Sequence, residues 1–297
     1  PLEIRANSMC HGTSILIQLC MFAVGSSDNC PTGWKPGSGV AGVNGIVHCS
    51  LGHDDGSGSS LFVGGDFTLA GSTEVRNIAR WDGKEWHDVG GGTSGVVFTL
   101  VEYQGDLIAA GAFSDAGGHF VGRIARWDGM QWNVMGGGVV YGSPPFVYDM
   151  EVHDDILYVA GRITGAPGVT SNGIIKWNGT EWLPFNLPFN YLVTEIQWHN
   201  SKLYVANEFL SEYKKWDGNQ WLTEYADSEN LYFNGISFLG VAGDKLIAGG
   251  GIWQLAPEQR VGIAELREGG WQAIGAGLPF TVEYATEIDG ELWAAGG

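Results

Sequence analysis

Residues 107–132 read LIAAGAFSDAGGHFVGRIARWDGMQW. Two apolar runs bounded by glycines lead to Trp127-Asp128-Gly129, and a second Trp follows at 132. Short apolar runs between Gly-rich breaks read as strands, and Asp-Gly between two of them reads as a tight hairpin. No helical period survives the glycines.

The same unit recurs on both sides. Its first run returns as Leu61-Phe62-Val63-Gly64-Gly65, as LYVAG from Leu157, LYVAN from Leu203, LIAGG from Leu246 and LWAAG from Leu292. The starts lie 46, 50, 46, 43 and 46 residues apart. The second run returns as IARWDGKEW (78–86), IIKWNGTEW (174–182), YKKWDGNQW (213–221) and a degenerate IAELREGGW (263–271). An alternating stretch precedes the first run, as at 96–101 and 147–152, and glycines cluster at 90–92 and 136–138. Four short strands per unit of this length are the signature of a propeller blade. One such sheet cannot cover its own two faces, so the units must stack. The expected fold is all-β, a β-propeller of four-stranded antiparallel blades, about six of them and possibly seven in a longer protein.

These units resemble the kelch repeat and the galactose-oxidase-type propellers. Gly64-Gly65 and Gly249-Gly250 match the kelch Gly pair. Trp81-Asp82, Trp127-Asp128 and Trp216-Asp217 match its aromatic, and Trp86, Trp132, Trp182, Trp221 and Trp271 match its later Trp. Kelch usually has Tyr at the first aromatic and a longer gap to the Trp, so this is a variant. It is similar to extracellular repeat proteins with VGGxF…NIARWDGxxW…LGxG units, over residues 33–297. The resemblance implies that the alternating stretch is strand a, lining a channel. The LxVGG run is then strand b, IARW is strand c, and strand d begins at the second Trp. It also implies that the two Trp of a unit pack between blades.

The chain carries 33 acidic and 15 basic residues, a net charge of −18. That excludes nucleic acid and anionic membrane surfaces, which need a basic footprint. The run SILIQLCMFAVG (14–25) is too short to span a bilayer, and it suits a signal-peptide core ending in the small residues Ala23-Val24-Gly25. Residues 1–25 are therefore expected to be a leader with upstream residues. Residues 26–297 are expected to be the propeller, truncated at the C-terminus, and secreted or at the cell surface. Cys30 and Cys49 would then pair, closing a loop of about 20 residues worth about 3 kcal/mol.

In an antiparallel blade the a–b and c–d turns share one face, and the b–c and d–a loops share the other. The second set is long and variable, so the length variation is expected to fall on that one face, and function on rigid scaffolds sits on such loops. Its candidate binding residues are Arg76, His119, Arg123, Tyr141, Tyr232, Trp253 and Arg260, a set suited to a sugar or a peptide. No catalytic or metal residue is assigned. A copper oxidase needs a Tyr–Cys cross-link, and no Cys is expected in the blades. A sialidase needs an Arg cluster that no partner motif supports. Asp54-Asp55-Gly56-Ser57-Gly58 offers oxygens for Ca²⁺ but few spaced carboxylates. His53, His153 and His199 occupy like turns in different blades and cannot share a metal. Asn178-Gly179-Thr180 is a glycosylation sequon on a turn that already favours Asn. Arg80, Arg126, Lys176 and Lys215 are expected to form a solvated edge. The function expected is a non-enzymatic extracellular module or scaffold that binds a glycan or a protein. The alternative is a polysaccharide hydrolase or lyase using two of Asp66, Asp115, Asp149 and Glu195, about 5–10 Å apart at the channel mouth.

Overall fold

The computed structural model describes residues 4–8, 42–185, 187–188, 192–207, 209–225, 230–268, 270–288 and 291–296. The expected leader core at 14–25 and Cys30 lie outside these residues. The described residues form strands and turns and no helix. They fall into two compact units, residues 12–138 and residues 139–297 with 1–11.

The unit 12–138 holds two four-stranded sheets, each ordered a-b-c-d and antiparallel throughout. In the first repeat the strands are Ile46–Asp54, Ser59–Asp66, Ile78–Trp81 and Trp86–Asp88. In the second they are Val97–Tyr103, Asp106–Gly111, Ile124–Trp127 and Trp132–Val134. Phe62, Ile78, Val97, Leu107, Phe113 and Trp132, drawn from both repeats, are buried in one cluster. Each such side chain contributes about 1.5–3 kcal/mol. Cys49 corrects one expectation, because it stands in strand a of the first blade. A Cβ added at Gly64 would lie 2.7 Å from its sulfur, so that close approach requires glycine.

The second unit holds three further four-stranded meanders. The third repeat comprises Val140–His153, Ile156–Ala166, Ile174–Trp177 and Trp182–Pro184. The fourth comprises Glu195–His199, Lys202–Ala206, Glu212–Trp216 and Trp221–Tyr225. The fifth comprises Leu231–Ala242, Lys245–Leu255, Ile263–Arg267 and Gly270–Ala273. A sixth pair, Val282–Ile288 and Glu291–Gly296, gains Ile4–Ser8 as a parallel third strand beside Glu291–Gly296. Tyr213, Ile236, Leu239, Ala248 and Trp271 form a shared buried cluster of the fourth and fifth repeats.

The c–d hairpin repeats one mechanism. Asp82 Oδ1 accepts the amides of Lys84 (2.8 Å) and Glu85 (2.9 Å), and Gly83 takes a φ of 94°. Asp128, Asn178 and Asp217 accept the corresponding amides in their own turns. The Asp thus serves as an amide acceptor, while its Gly supplies the positive φ. The two Trp flanking each turn are direct cross-strand partners, with ring centroids 5.3, 5.4, 4.9 and 5.5 Å apart in the first four repeats. They therefore pack first on each other. Trp132 also reaches the neighbouring repeat, where its Nε1 donates to the Val89 carbonyl at 2.8 Å.

The basic residues of strand c are only partly a solvated edge: Arg126 is exposed, the other three are half-buried, and each has a partner. Arg80 reaches Asp55 (3.8 Å), Arg126 pairs with Asp106 (3.2 Å), Lys215 pairs with Glu224, and Lys176 lies over the Phe185 ring (5.0 Å).

The b–c connections vary in sequence but much less in length. Strand c begins 17 residues after the first Leu of the b run in repeats one, two, three and five (61 to 78, 107 to 124, 157 to 174, 246 to 263). In the fourth the interval is only 9 (203 to 212). The longer connections fold into hairpins: Leu69–Ala70 with Thr73–Glu74, Asp115–Ala116 with His119–Phe120, and Val169–Thr170 and Glu258–Arg260 each paired back onto strand b. Each ends on a left-handed residue, Asn77 (φ 63°), Arg123 (74°), Gly173 (76°) or Gly262 (62°). Their carbonyls accept the amides of Gly65, Gly111, Gly161 and Gly250.

Candidate binding site

Three of the seven expected loop residues meet in the fifth repeat. Tyr232 of strand a stands opposite Trp253 of strand b, and Trp253 stands opposite Arg260 of the added hairpin strand. Directly opposed residues share a sheet face, so the three side chains form one row. The Arg260 guanidinium carbon lies 4.9 Å from the Trp253 ring centroid, a cation–π geometry worth about 0.5–1 kcal/mol when exposed. Tyr232 is 46% exposed, and Leu255, two residues along from Trp253 on the same face, is 55% exposed.

The other repeats serve as an internal control. Counted from the first Leu of strand b, the place of Trp253 holds Thr68, Ser114 and Thr164. The place of Arg260 holds Val75, Val121 and Ser171, all buried. The hairpin therefore folds with a small polar residue and a small buried one. Nothing in its backbone calls for an indole and a guanidinium. Arg260 bears the cost of the exchange, because its Nε is buried and has no hydrogen-bond partner among the described residues.

Among the described residues the fourth repeat shows no such hairpin. In its place Asn207 accepts the Ile236 amide at 3.3 Å, which sets the short loop beside strand a of the fifth repeat. Phe209 in that loop is 68% exposed, and Leu210 is exposed as well.

The remaining expected residues stand in other repeats. Arg76 is exposed just after the first hairpin, where its carbonyl accepts the Thr93 amide. His119 is exposed in the second hairpin opposite Ala116, and Arg123 occupies the left-handed position that ends it. Tyr141 lies in strand a of the third repeat, in register with Ile163.

The carboxylates proposed for catalysis are committed to structure where the geometry is explicit. Asp149 accepts the amides of Met150 (2.8 Å) and Ile196 (2.9 Å). Glu151 accepts the Trp198 amide (2.6 Å) and the Gln197 side chain (2.7 Å). The two carboxylates thus tie strand a of the third repeat to strand a of the fourth. Burial pushes both upward, Glu151 to about 8, with the Asp149 charge adding to its rise. Sequence reading picked Asp149 but missed Glu151. Glu195 holds the register position in the fourth repeat that Asp149 holds in the third. Asp115 accepts from the Ser114 hydroxyl, and Asp66 is exposed.

The loop considered for Ca²⁺ uses its carboxylates internally. Asp54 Oδ1 accepts the amides of Gly56 (2.9 Å) and Gly58 (3.0 Å). Asp55 accepts from Ser57 and, at 3.0 Å, from Trp127 Nε1 of the next repeat. His53, His153 and His199 hold one register position in three repeats and have separate partners. His53 bonds Glu102, His153 stacks on Trp198 at 4.0 Å, and His199 bonds Asn200. Asp82 and Glu85, exposed on the c–d turn, and the half-buried His87 of strand d bring ligand atoms within 4.8 Å of one another. Asp82 is already engaged there by the turn amides and by His87.

No family model and no curated protein matches the chain. Among solved structures it is similar to the WD40 repeats of RRP9, with a TM-score of 0.50 and 13% identity over 82% of this chain and 70% of that one. It also aligns with an extracellular domain of a one-component system from B. thetaiotaomicron. There the TM-score is 0.48 and the identity 13%, over 84% of this chain and 33% of that one. The fold is that of a β-propeller. No described helix is long and apolar enough to cross a membrane.

Proposed function

We propose that this chain is a non-catalytic propeller, of the kelch type by its sequence motifs, that is exported and binds a glycan. The observation that carries this reading is the Tyr232–Trp253–Arg260 row. Only the fifth repeat sets an indole and a guanidinium at these two positions, and the hairpin that presents them folds without them elsewhere. A rigid sheet that sets an exposed tyrosine ring beside a half-buried indole and a donor fork recognises hydroxyl-bearing rings at little entropic cost. The engaged carboxylates of Asp149 and Glu151 favour this reading over the hydrolase or lyase alternative. Export follows from the 14–25 leader motif, and the expected Cys30–Cys49 bridge belongs to the same reading.

The experiment is binding of the full chain to immobilised neutral and acidic oligosaccharides, alongside the variants Trp253→Thr and Tyr232→Ala. Retention of the native chain, with loss in both variants at unchanged melting temperature, supports the reading. Retention that survives both substitutions places the site elsewhere. No retention of any sugar removes the glycan reading, and cleavage of a sugar restores the enzyme alternative.

A further inference from the structure

We infer that the glycan taken by this row carries a carboxylate, a hexuronate, held by Arg260. The inference rests on the binding reading above and adds the ligand's charge. Six other strand cations have a carboxylate partner: Arg80 with Asp55, Arg126 with Asp106, Lys214 with Glu212, Lys215 with Glu224, and Lys245 and Arg267 with Glu265. Arg260, like Lys176 over Phe185, has an aromatic partner instead, and no carboxylate lies within ion-pair distance of its guanidinium among the described residues. A chain with 33 acidic residues leaves this guanidinium without one.

Its Nε–H supplies the second observation. It is buried and has no acceptor. A buried donor left unpaired is destabilising, so the guanidinium gains by turning to present this N–H to an acceptor. A carboxylate meets a guanidinium side-on through two parallel N–H···O bonds, one from Nε and one from a terminal nitrogen. That places an anionic group at one end of the row, with Trp253 and the exposed Tyr232 beyond it. A sugar ring bearing a carboxylate matches both parts: the ring lies along the aromatic side chains and the carboxylate at the fork. A single hydroxyl would satisfy one donor and leave the charge unmatched.

The test is calorimetric titration of the full chain with tetragalacturonate and with tetraglucuronate. Each is compared with its carboxyl-reduced neutral counterpart and with a capped glutamate-rich peptide. One of the two uronates is expected to bind at least tenfold tighter than its reduced form. Arg260→Gln should abolish that preference, and Arg260→Lys, which keeps the charge but loses the fork, should recover only part of it. The same melting temperature in all three proteins excludes misfolding. Equal binding of uronate and reduced sugar overturns the carboxylate inference and leaves the glycan-binding reading intact. A preference that persists in Arg260→Gln overturns the role of Arg260. Binding of the peptide alone overturns the sugar class, and binding of nothing overturns both readings.

Discussion

Lys245 and Glu265 form the ion pair of Asp106 and Arg126 with the charges exchanged. In the second repeat Arg126 lies in register with Ile108, and Asp106 stands two residues before Ile108. In the fifth, Glu265 lies in register with Ile247, and Lys245 stands two residues before Ile247, its Nζ 2.7 Å from the carboxylate. Repeats can therefore diverge at coupled positions while the blade is kept. The same freedom lets Trp253 and Arg260 depart together from Thr and Val.

That exchange predicts a reversible mutant pair. Lys245→Glu sets a like charge beside the buried Glu265 and should cost about 3 kcal/mol. Adding Glu265→Lys should recover only part of that, because Arg267 then loses its carboxylate and faces a like charge, with a coupling of about 1–3 kcal/mol in a double-mutant cycle. Urea unfolding of the four proteins measures it. Additive losses would mean that the pair is not an interaction.

The buried carboxylates predict a pH dependence of opposite sign to that of ordinary surface acids. Asp149 and Glu151 titrate higher when folded than when unfolded. Their folded state therefore holds more protons, and stability falls as pH rises from the unfolded range near 4 through about 8. Glu151→Gln keeps an acceptor for the Trp198 amide and removes the charge. It should flatten that fall and be more stable than the native chain at pH 9 by about 1–3 kcal/mol, discounted for partial solvent access. Parallel melting curves of the two proteins from pH 5 to 9 would contradict this.

The Asp55–Trp127 bond clasps the long a–b loop of the first repeat to the second. Trp127→Phe removes the donor and puts a smaller ring in place of a buried indole. The lost bond costs about 1 kcal/mol, and the cavity adds about 1–3 kcal/mol. Asp55→Ala loses the same bond with the Ser57 bonds and the Arg80 contact but empties no core position, and should cost less. Chemical denaturation of both variants checks the order.

Strand order, hairpin type and repeat length were legible because they rest on local chemistry. Gly supplies positive φ, Asp and Asn accept turn amides, and apolar runs alternate with breaks. The repeats even marked the loop face, since Tyr232, Trp253 and Arg260 were chosen from it. What stayed hidden was register. Nothing local says that these three residues align across three strands. Counting 7 and 14 residues from Leu246 and comparing the other repeats would have exposed the Trp253 and Arg260 departures. The fate of Arg80, Arg126, Lys176 and Lys215 was hidden for a related reason. Each finds a partner on a different strand or loop, so no common spacing announces it.

The most direct measurement replaces the row with the residues the other repeats carry. Trp253→Thr with Arg260→Val is titrated with tetragalacturonate and tetraglucuronate beside the native chain, and both proteins are melted. The predicted result is an unchanged or slightly raised melting temperature, because the hairpin regains its repeat residues and loses the unpaired Nε–H, together with loss of uronate binding by at least tenfold. Undiminished binding in the double variant would contradict the assignment of this row as the site.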